Sequence, residues 1–291
     1  MDLPVLFGVN VDPVWGDVDQ PLRLTLLADR AGLDLVTVQD HPYQKAFHDT
    51  WTLMSFLAAR SERVTFVPTV ANLPLRPPAM LAKAAASFDV LSKGRLRLGL
   101  GTGAFWEAIE AMGGPRRSKK EAVDALGEAI DVIRAMWSGL RSVRVPGTYD
   151  HVAGVHPGPV PSSSLGMWLG AYGPRMLEVT GAKADGWLPS LAYLDMDRVG
   201  EAVQRINDAA TRAGRAPGAL RKVYNLNGLI TPASRGDFHG PADQWVEQIT
   251  MLVRDHGMNG FVYWPDQDQE RQLSLFAEQV VPAARLALAE T

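Results

Sequence analysis

The chain alternates between two patterns of apolar positions. Short apolar runs, typical of strands, are separated by longer segments in which apolar residues recur every three or four positions, as on one face of a helix. The strand-like runs are residues 5–9, 33–39, 64–69, 95–100, 167–169, 186–188, 222–229 and 260–263. The helical segments are residues 21–31, 50–60, 77–91, 119–137, 174–183, 195–213, 241–255 and 269–288. Strands and helices are therefore predicted to alternate strictly, with eight of each.

This order of elements predicts an α/β protein in which a parallel sheet is joined by crossover helices. Eight repeats in 291 residues match a closed (β/α)8 barrel, the TIM-barrel fold. Residues 139–166 interrupt the alternation with glycines, prolines and the run Ser162-Ser163-Ser164, and we assign them to an insertion after the fourth helix. The sequence predicts one domain over residues 1–291.

Composition and charge exclude several classes of function. With 29 basic and 32 acidic residues the formal net charge is −3, so the chain has no bulk attraction to nucleic acid or to an anionic membrane. The absence of cysteine excludes disulfides, thiolate nucleophiles and cysteine-bound metals. The sequence shows no secretory signal and no apolar run of membrane-spanning length, so we expect a cytoplasmic protein without membrane or nucleic-acid partners.

The residues just beyond the predicted strands mark the active-site face of a barrel. They are polar and rich in amides: Asn10-Val11-Asp12, Gln39-Asp40-His41-Pro42, Val70-Ala71-Asn72, Gly101-Thr102-Gly103, Gly170-Ala171-Tyr172-Gly173, residues 225–227 and Trp264-Pro265-Asp266. The six histidines lack metal-ligand spacing, and two facing carboxylates are lacking as well. These patterns argue against a metal site and against a retaining glycosidase.

Asp40 and His41 are the first catalytic candidates. A histidine at a strand end can donate or accept a proton near neutral pH, and an adjacent aspartate can orient it or raise its pKa. The residues alone leave open a second interpretation, in which Asp40 caps the loop and His41 fills space.

Two glycine-containing segments are candidates for ligand binding. Gly101-Thr102-Gly103 leaves the backbone bare where a ring or phosphate can lie against it, although a tight turn without a ligand is the simpler interpretation of this segment alone. In residues 170–176 small residues precede Pro174 and Arg175, which predicts a phosphate site at a helix N-terminus, the alternative being a plain capped helix.

A cluster of positive charge stands at the start of the fourth predicted helix, formed by Arg116, Arg117, Lys119 and Lys120. Positive charge there opposes the helix dipole, and an anionic ligand would offset this cost. A solvated basic loop is the simpler interpretation, because surface charge runs are common.

Together these motifs resemble the bacterial luciferase-like family of flavin- and deazaflavin-dependent oxidoreductases. The matching segments are Asp40-His41, Arg76-x-Pro78, Leu91-Ser92-x-Gly94-Arg95, Leu98-Gly99-x-Gly101-x-Gly103, Gly173-Pro174-Arg175-Met176 and Ala184-Asp185-Gly186-Trp187. The resemblance implies a barrel with a prosthetic group across its carboxyl-terminal mouth, and a homodimer. The cofactor-binding residues that it implies are Val70, Ala71, Asn72, Gly101, Thr102, Gly103, Ala171, Tyr172, Gly173, Pro174, Arg175 and Met176.

The segment Gln39-Asp40-His41-Pro42 resembles the branch that uses the deazaflavin coenzyme F-420 more than the luciferases proper, which carry FMN. This resemblance implies that His41 lies by the reactive ring and assists proton movement, and that a non-prolyl cis peptide joins Val70 and Ala71. Alcohol- and sugar-oxidising members have a glutamate where this chain has Ala104. Glu107 is therefore the alternative catalytic acid, while Phe105 and Trp106 predict an apolar substrate wall.

The sequence thus predicts an oxidoreductase that transfers hydride between coenzyme F-420 and a small organic substrate. An FMN-dependent luciferase-like monooxygenase is the close alternative. A non-catalytic flavin- or deazaflavin-binding protein is an alternative of another class, motivated by Ala104.

Overall fold

The computed structural model describes residues 3–161 and 165–289, so the predicted serine run at 162–164 lies outside the described residues. The strands are β1 (Leu6–Asn10), β2 (Leu35–Val38), β3 (Thr65–Pro68), β4 (Ala71–Asn72), β5 (Leu98–Gly101), β6 (Val143–Val145), β7 (Val152–Val155), β8 (Met167–Leu169), β9 (Gly186–Trp187), β10 (Arg221–Ile230), β11 (His239–Gly240) and β12 (Gly260–Pro265). The helices are α1 (Gln20–Arg30), α2 (Thr50–Arg60), α3 (Pro78–Leu91), α4 (Trp106–Ala111), α5 (Lys119–Trp137), α6 (Pro174–Lys183), α7 (Met196–Arg212), α8 (Ala242–His256), α9 (Gln269–Leu275) and α10 (Val281–Ala289).

Eight of the described strands form a parallel barrel in the order β3, β2, β1, β12, β10, β9, β8 and β5. The ring closes between β3 and the residues that lead into β5. There the N–H of Phe66 donates to the carbonyl of Arg95 at 3.0 Å, and the N–H of Arg97 donates to the carbonyl of Phe66 at 2.9 Å. The predicted (β/α)8 barrel is confirmed.

Six apolar side chains form a separate cluster that fills the inside of the barrel. They come from six neighbouring strands or strand ends: Leu35, Val67, Trp168, Leu188, Val223 and Val262. Glycines on adjacent strands make room for this cluster, since a Cβ on Gly186 would lie 2.5 Å from Cδ1 of Trp168 and one on Gly260 would lie 2.8 Å from Cγ2 of Val223. A larger apolar core packs the helices onto the outer face of the sheet. The interior cluster separates the two ends of the barrel.

The segment predicted as an insertion contains a hairpin of β6 and β7, which pair antiparallel. The loop between them is fixed by Glu128 on α5, whose carboxylate accepts hydrogen bonds from the backbone N–H groups of Thr148, Tyr149 and Asp150 at 2.7–3.0 Å.

The sequence pattern also did not predict α4, β4 or β11. These elements are short, and short elements produce little periodicity.

Two features are absent from the described residues. Among them, no helix is long and apolar enough to span a bilayer. Within the same residues, no group of three or more histidine, aspartate or glutamate side chains is arranged to hold a metal ion.

Candidate active site

A cavity of about 750 Å³ opens at the carboxyl ends of the barrel strands. Among the residues predicted to form the site, those that line it are Asp40, His41, Val70, Ala71, Asn72, Gly101, Thr102, Gly103 and Tyr172. The cavity is also lined by Asn225 and Trp264, which the sequence placed at the active-site face, and by Tyr43, Phe47, Ser190 and Tyr193, which it did not single out. The barrel therefore brings most of the predicted residues together at one mouth, as strand order requires.

His41 lies in this cavity and is hydrogen-bonded to a tyrosine. Its Nδ1 is 2.7 Å from the hydroxyl oxygen of Tyr43. Burial lowers the pKa of His41 below its usual value, and the charge of Asp40 opposes this shift only in part. Burial also raises the pKa of Tyr43 to about 12. At neutral pH the pair is therefore a neutral imidazole beside a protonated phenol, an arrangement able to take up or release a proton.

Asp40 does not orient His41 through a hydrogen bond. Its buried carboxylate instead accepts Nε and Nη2 of Arg76 at 2.6 and 2.7 Å, and the N–H of Asn72 at 2.9 Å. Arg76 also donates to Asp49, which caps α2, at 2.7 Å. Burial disfavours the charge of Arg76, but hydrogen bonds and charge attraction from Asp40 and Asp49 raise its pKa above the ordinary value. Asp40 thus holds the loop in place and acts on His41 through charge.

The non-prolyl cis peptide lies one residue before its predicted position, between Thr69 and Val70 rather than between Val70 and Ala71. The side chain of Val70 packs over two glycines. A Cβ on Gly101 would lie 2.4 Å from Cγ2 of Val70, and one on Gly170 would lie 3.3 Å from Cγ1. The backbone of Gly101 is bare because it accommodates Val70, although the cavity still reaches it.

Gly103 is explained by packing as well. Its φ of 91° is one that side chains rarely adopt, and a Cβ there would lie 2.8 Å from Cγ of Pro74. A tight turn is therefore sufficient reason for this glycine.

Three polar atoms at the cavity have no hydrogen-bond partner within the described protein. They are Oδ1 of Asn72, Oδ1 of Asn225 and Nε1 of Trp264, all on residues that line the cavity. Asn72 and Asn225 are 5% and 1% exposed. Buried polar groups are normally paired, so two acceptors and one donor here match a ligand with its own donors and acceptors. The isoalloxazine or deazaflavin ring system fits this requirement.

The predicted phosphate segment lies outside the cavity, apart from Gly170 and Tyr172. Gly173, Pro174, Arg175 and Met176 form the cap and first turn of α6, and the carbonyl of the buried Ala171 accepts Nε1 of Trp187 at 2.8 Å. Nη2 of the exposed Arg175 donates to Asp124 at 2.8 Å. In this structure the anionic partner of Arg175 is therefore a side chain of α5.

Glu107, the predicted alternative acid, is also outside the cavity. Its exposed carboxylate accepts Nη2 of Arg116 at 2.8 Å, and Arg116 also binds Glu110 at 3.1 Å. These contacts occupy part of the predicted basic cluster. Arg117 lies 5.5 Å from the ring centre of Tyr149, while Lys120 lies 3.7 Å from Asp124.

Phe105 and Trp106, which were predicted to form a substrate wall together, lie at different places in the structure. Phe105 lines the cavity, with its ring centre 5.5 Å from that of His41 and 5.9 Å from that of Tyr43. Trp106 begins α4 and packs beside Gly103 instead. A second aromatic pair, Tyr172 and Tyr193, with ring centres 5.5 Å apart, also borders the cavity.

Comparison with known proteins finds relatives that cover most of the chain. The family model described as luciferase-like monooxygenase matches residues 7–234. The chain is similar to the F-420-dependent glucose-6-phosphate dehydrogenase of Nocardia farcinica, with 28% identity over an alignment that covers 90% of this chain and 93% of the relative.

Solved structures share the fold at lower sequence identity. An F-420-dependent secondary alcohol dehydrogenase in complex with an F-420–acetone adduct has a TM-score of 0.85 at 17% identity, covering 97% of this chain and 99% of that chain. The FMN-bound oxygenating constituent of 3,6-diketocamphane monooxygenase from Pseudomonas putida has a TM-score of 0.77 at 16% identity, covering 96% and 98%. Both confirm the barrel fold.

Proposed function

Because the chain belongs to the luciferase-like monooxygenase family of oxidoreductases, we propose that it binds coenzyme F-420 in the cavity and transfers hydride to or from a small organic substrate. The F-420-dependent relative with 28% identity over 90% of the chain supports the choice of cofactor. The observation that carries the proposal is the set of three unpartnered polar atoms, of Asn72, Asn225 and Trp264, at the cavity that holds His41.

Five side chains of the cavity have roles in this function. Asn72 and Asn225 accept hydrogen bonds from the ring system, and Nε1 of Trp264 donates one. A bound deazaflavin supplies or accepts the hydride. His41 supplies or removes the accompanying proton, and the hydroxyl of Tyr43 at 2.7 Å holds its imidazole in position.

The test is titration with coenzyme F-420, followed by quenching of the cofactor's fluorescence. Asn225→Leu removes one ring contact, and we expect it to weaken binding by about tenfold or more, since a lost hydrogen bond to a buried partner costs about 1–3 kcal/mol. Asn207→Leu is the matched control, because Oδ1 of Asn207 is also buried and unpartnered among the described residues but belongs to α7, outside the cavity. Equal affinities for the two variants would contradict the assignment.

An FMN-dependent monooxygenase is the second candidate. The FMN-bound neighbour has the same fold, and the unpartnered atoms would serve either ring system. Reduced FMN reacts readily with oxygen, whereas the carbon-centred deazaflavin does not. Oxygen consumption by the loaded, reduced protein therefore separates the two candidates.

A non-catalytic binding protein is the third. Ala104 and the outward position of Glu107 favour it, whereas the position of His41 in the cavity opposes it. Turnover of the bound cofactor by any member of a panel of donors and acceptors would exclude it. The homodimer and the cytoplasmic location remain predictions.

A further inference from the structure

A second cavity, of about 580 Å³, opens at the opposite, amino-terminal end of the barrel. It is bordered by residues that come just before strands or at their starts, among them Leu33, Arg97 and Gly166. Of the residues that the structure describes, none lines both cavities. Leu35 and Trp168 of the interior apolar cluster belong to the lining of the second cavity, so the cluster separates it from the proposed cofactor site.

Two arginines in this lining stand at the starts of barrel strands. Arg221 begins β10 and lies two residues before Val223, a member of the interior cluster. Arg97 lies two residues before Gly99, where a Cβ would approach Leu188 of the same cluster to 3.1 Å. Because side chains two positions apart share a face of a strand, both arginines point toward the inside of the barrel. Barrel interiors are normally filled by apolar side chains, so two arginines at this level are unusual.

Both guanidinium groups keep donors that the protein does not use. Arg97 and Arg221 each donate to backbone carbonyls through Nη1. Within the part of the chain that the structure describes, Nε and Nη2 of these two arginines have no acceptor. The planar edge formed by Nε and Nη2 matches two oxygens of a phosphate or carboxylate group. The two side chains can therefore bind an anion in the cavity.

The lining of the second cavity carries an excess of positive charge. It contains two aspartates and four arginines, which are Arg63, Arg97, Arg221 and Arg285. The net charge of the lining is therefore +2, although the formal net charge of the whole chain is −3. A cavity with charge of one sign concentrates ligands of the opposite charge.

The two aspartates of the lining are engaged with other arginines. Asp34 accepts a hydrogen bond from Nη2 of Arg285 at 3.1 Å. Asp185 lies 3.5 Å from both Arg134 and Arg215. These contacts leave the positive charge deeper in the cavity without a carboxylate partner.

Arg97 and Arg221 also disfavour each other's charge. Among the described residues, neither forms an ion pair with a carboxylate. Burial and the charge of Arg97 lower the pKa of Arg221, and the charge of Asp34 opposes this shift only in part. An anion between the two guanidinium groups would offset both costs.

We propose that the second cavity binds a phosphate monoester, with its phosphate group between Arg97 and Arg221. A phosphate dianion matches the net charge of +2, and two guanidinium edges can bind its oxygens together. The volume of about 580 Å³ is typical of a small-molecule site, so it leaves room for the organic part beside Leu6, Leu35 and Trp168. This inference does not rest on the proposed function.

The test is calorimetric titration of the full chain with inorganic phosphate and with phenyl phosphate at constant ionic strength. We expect saturable binding of both anions, with the tighter binding for phenyl phosphate because its ring adds apolar contact. Weaker binding of phenyl phosphate than of inorganic phosphate would contradict the assignment of a monoester.

Fluorine NMR of the protein labelled with 5-fluorotryptophan locates the bound anion. Trp168 lines the second cavity and Trp264 lines the cofactor cavity, and Trp168→Phe and Trp264→Phe assign their resonances. Inorganic phosphate should shift the resonance of Trp168. A shift at Trp264 without one at Trp168 would place the anion at the other end of the barrel and overturn the proposal.

A double variant tests the two arginines. Arg97→Gln with Arg221→Gln should weaken binding of phenyl phosphate by about tenfold or more, because charge-assisted hydrogen bonds are lost. The control is Arg198→Gln with Arg212→Gln, which changes the net charge equally at two exposed positions of α7 outside both cavity linings. Binding by this control should be unchanged.

Each outcome decides the proposal. Absence of saturable binding, or equal weakening in the two double variants, would overturn it. If the variant of Arg97 and Arg221 does not fold, the fluorine measurement on the chain that keeps both arginines decides the proposal. Neither measurement involves turnover, so failure of this site leaves the proposed hydride transfer standing, and failure of hydride transfer leaves this site standing.

Discussion

Arg76 binds Asp40 through two hydrogen bonds beneath the mouth of the barrel, from Nε at 2.6 Å and from Nη2 at 2.7 Å. The side chain of Asp40 is fully buried, so Arg76 balances a charge that water does not reach. Because Asp40 directly precedes His41, the pair also fixes the start of the loop that carries the imidazole. The same arginine reaches Asp49 at the start of α2.

Removal of Arg76 should therefore destabilise the fold. We expect Arg76→Ala to lower the free energy of unfolding by about 3–5 kcal/mol, because it leaves a buried carboxylate unpaired. Arg175→Ala is the control, since Arg175 pairs with Asp124 at 2.8 Å on the surface and its loss should cost less than about 1 kcal/mol. Urea unfolding measures the free energy of unfolding of both variants. Similar losses in the two would show that the buried pair contributes no more to stability than the surface pair.

His41→Ala should lower turnover by about 100-fold or more and leave the fold intact, which is the usual scale for a positioned acid or base. Cofactor binding should change little, because the ring contacts are assigned to Asn72, Asn225 and Trp264. His151→Ala, at an exposed position between β6 and β7, is the control. Unchanged turnover by His41→Ala with normal cofactor binding would reject the proton-transfer role.

The pH dependence should have opposite signs in the two directions. Oxidation needs neutral His41, so kcat/KM for an alcohol should fall as the pH falls through the pKa of His41. Reduction needs protonated His41, so kcat/KM for a carbonyl compound should fall as the pH rises through the same pKa. Burial places this pKa below the usual 6.5. Inflections above 6.5 in both profiles, or profiles unaltered in His41→Gln, would contradict this assignment.

Gly101→Ala should displace Val70. The new Cβ would lie 2.4 Å from Cγ2 of Val70, and overpacking of this kind typically costs about 1–3 kcal/mol of stability. Gly127→Ala, on α5 with nothing within 4 Å, should be neutral or stabilising. Shortening Val70 as well, in the double variant Gly101→Ala with Val70→Ala, should recover part of the lost stability. A double-mutant cycle measured by thermal denaturation gives the coupling between the two positions. Strict additivity would show that the two side chains do not compete for space.

The protein should bind coenzyme F-420 more tightly than FMN. The lactyl and polyglutamate tail of the deazaflavin cofactor adds negative charge, and Lys119 and Lys120 stand at the first turn of α5. Exposed ion pairs contribute up to about 1 kcal/mol each and are screened by salt, so the preference should narrow at high salt and in Lys119→Gln with Lys120→Gln. Arg116→Gln should narrow it less, because Arg116 is held by Glu107 and Glu110. Equal affinities at low salt, or a preference for FMN, would favour the monooxygenase.

The barrel could be predicted from the sequence for two reasons. Strands and helices differ in the spacing of their apolar residues, and the same strand pattern recurs for each strand of the ring. The sequence was also sufficient for the location of His41, since the residue after a barrel strand lies at the mouth whatever the loop does next. Both predictions depend on local order along the chain.

What the sequence did not show depends on contacts between distant residues. Asp40 is adjacent to His41 in the chain, yet its partner is Arg76, 36 residues away. Gly101 likewise lacks a side chain because Val70, distant in the chain, occupies the space. Asn225 is excluded from water by residues that come from several strand ends around the cavity. The charge of Arg175 indicated an anion, but the choice between a phosphate and Asp124 is made by the packing of α5 against α6.

The apolar cluster inside the barrel closes the inner end of the cavity. Trp168 and its five neighbours block passage to the opposite end of the barrel, so ligands must arrive and leave through the same opening. If the cofactor ring contacts Asn72, Asn225 and Trp264, the substrate must follow it in and the product must leave before it. The kinetic mechanism should then be ordered, with the cofactor binding first and dissociating last. Exchange of the cofactor through this opening, rather than the chemical step, would then limit the rate whenever the cofactor is replaced after every turnover.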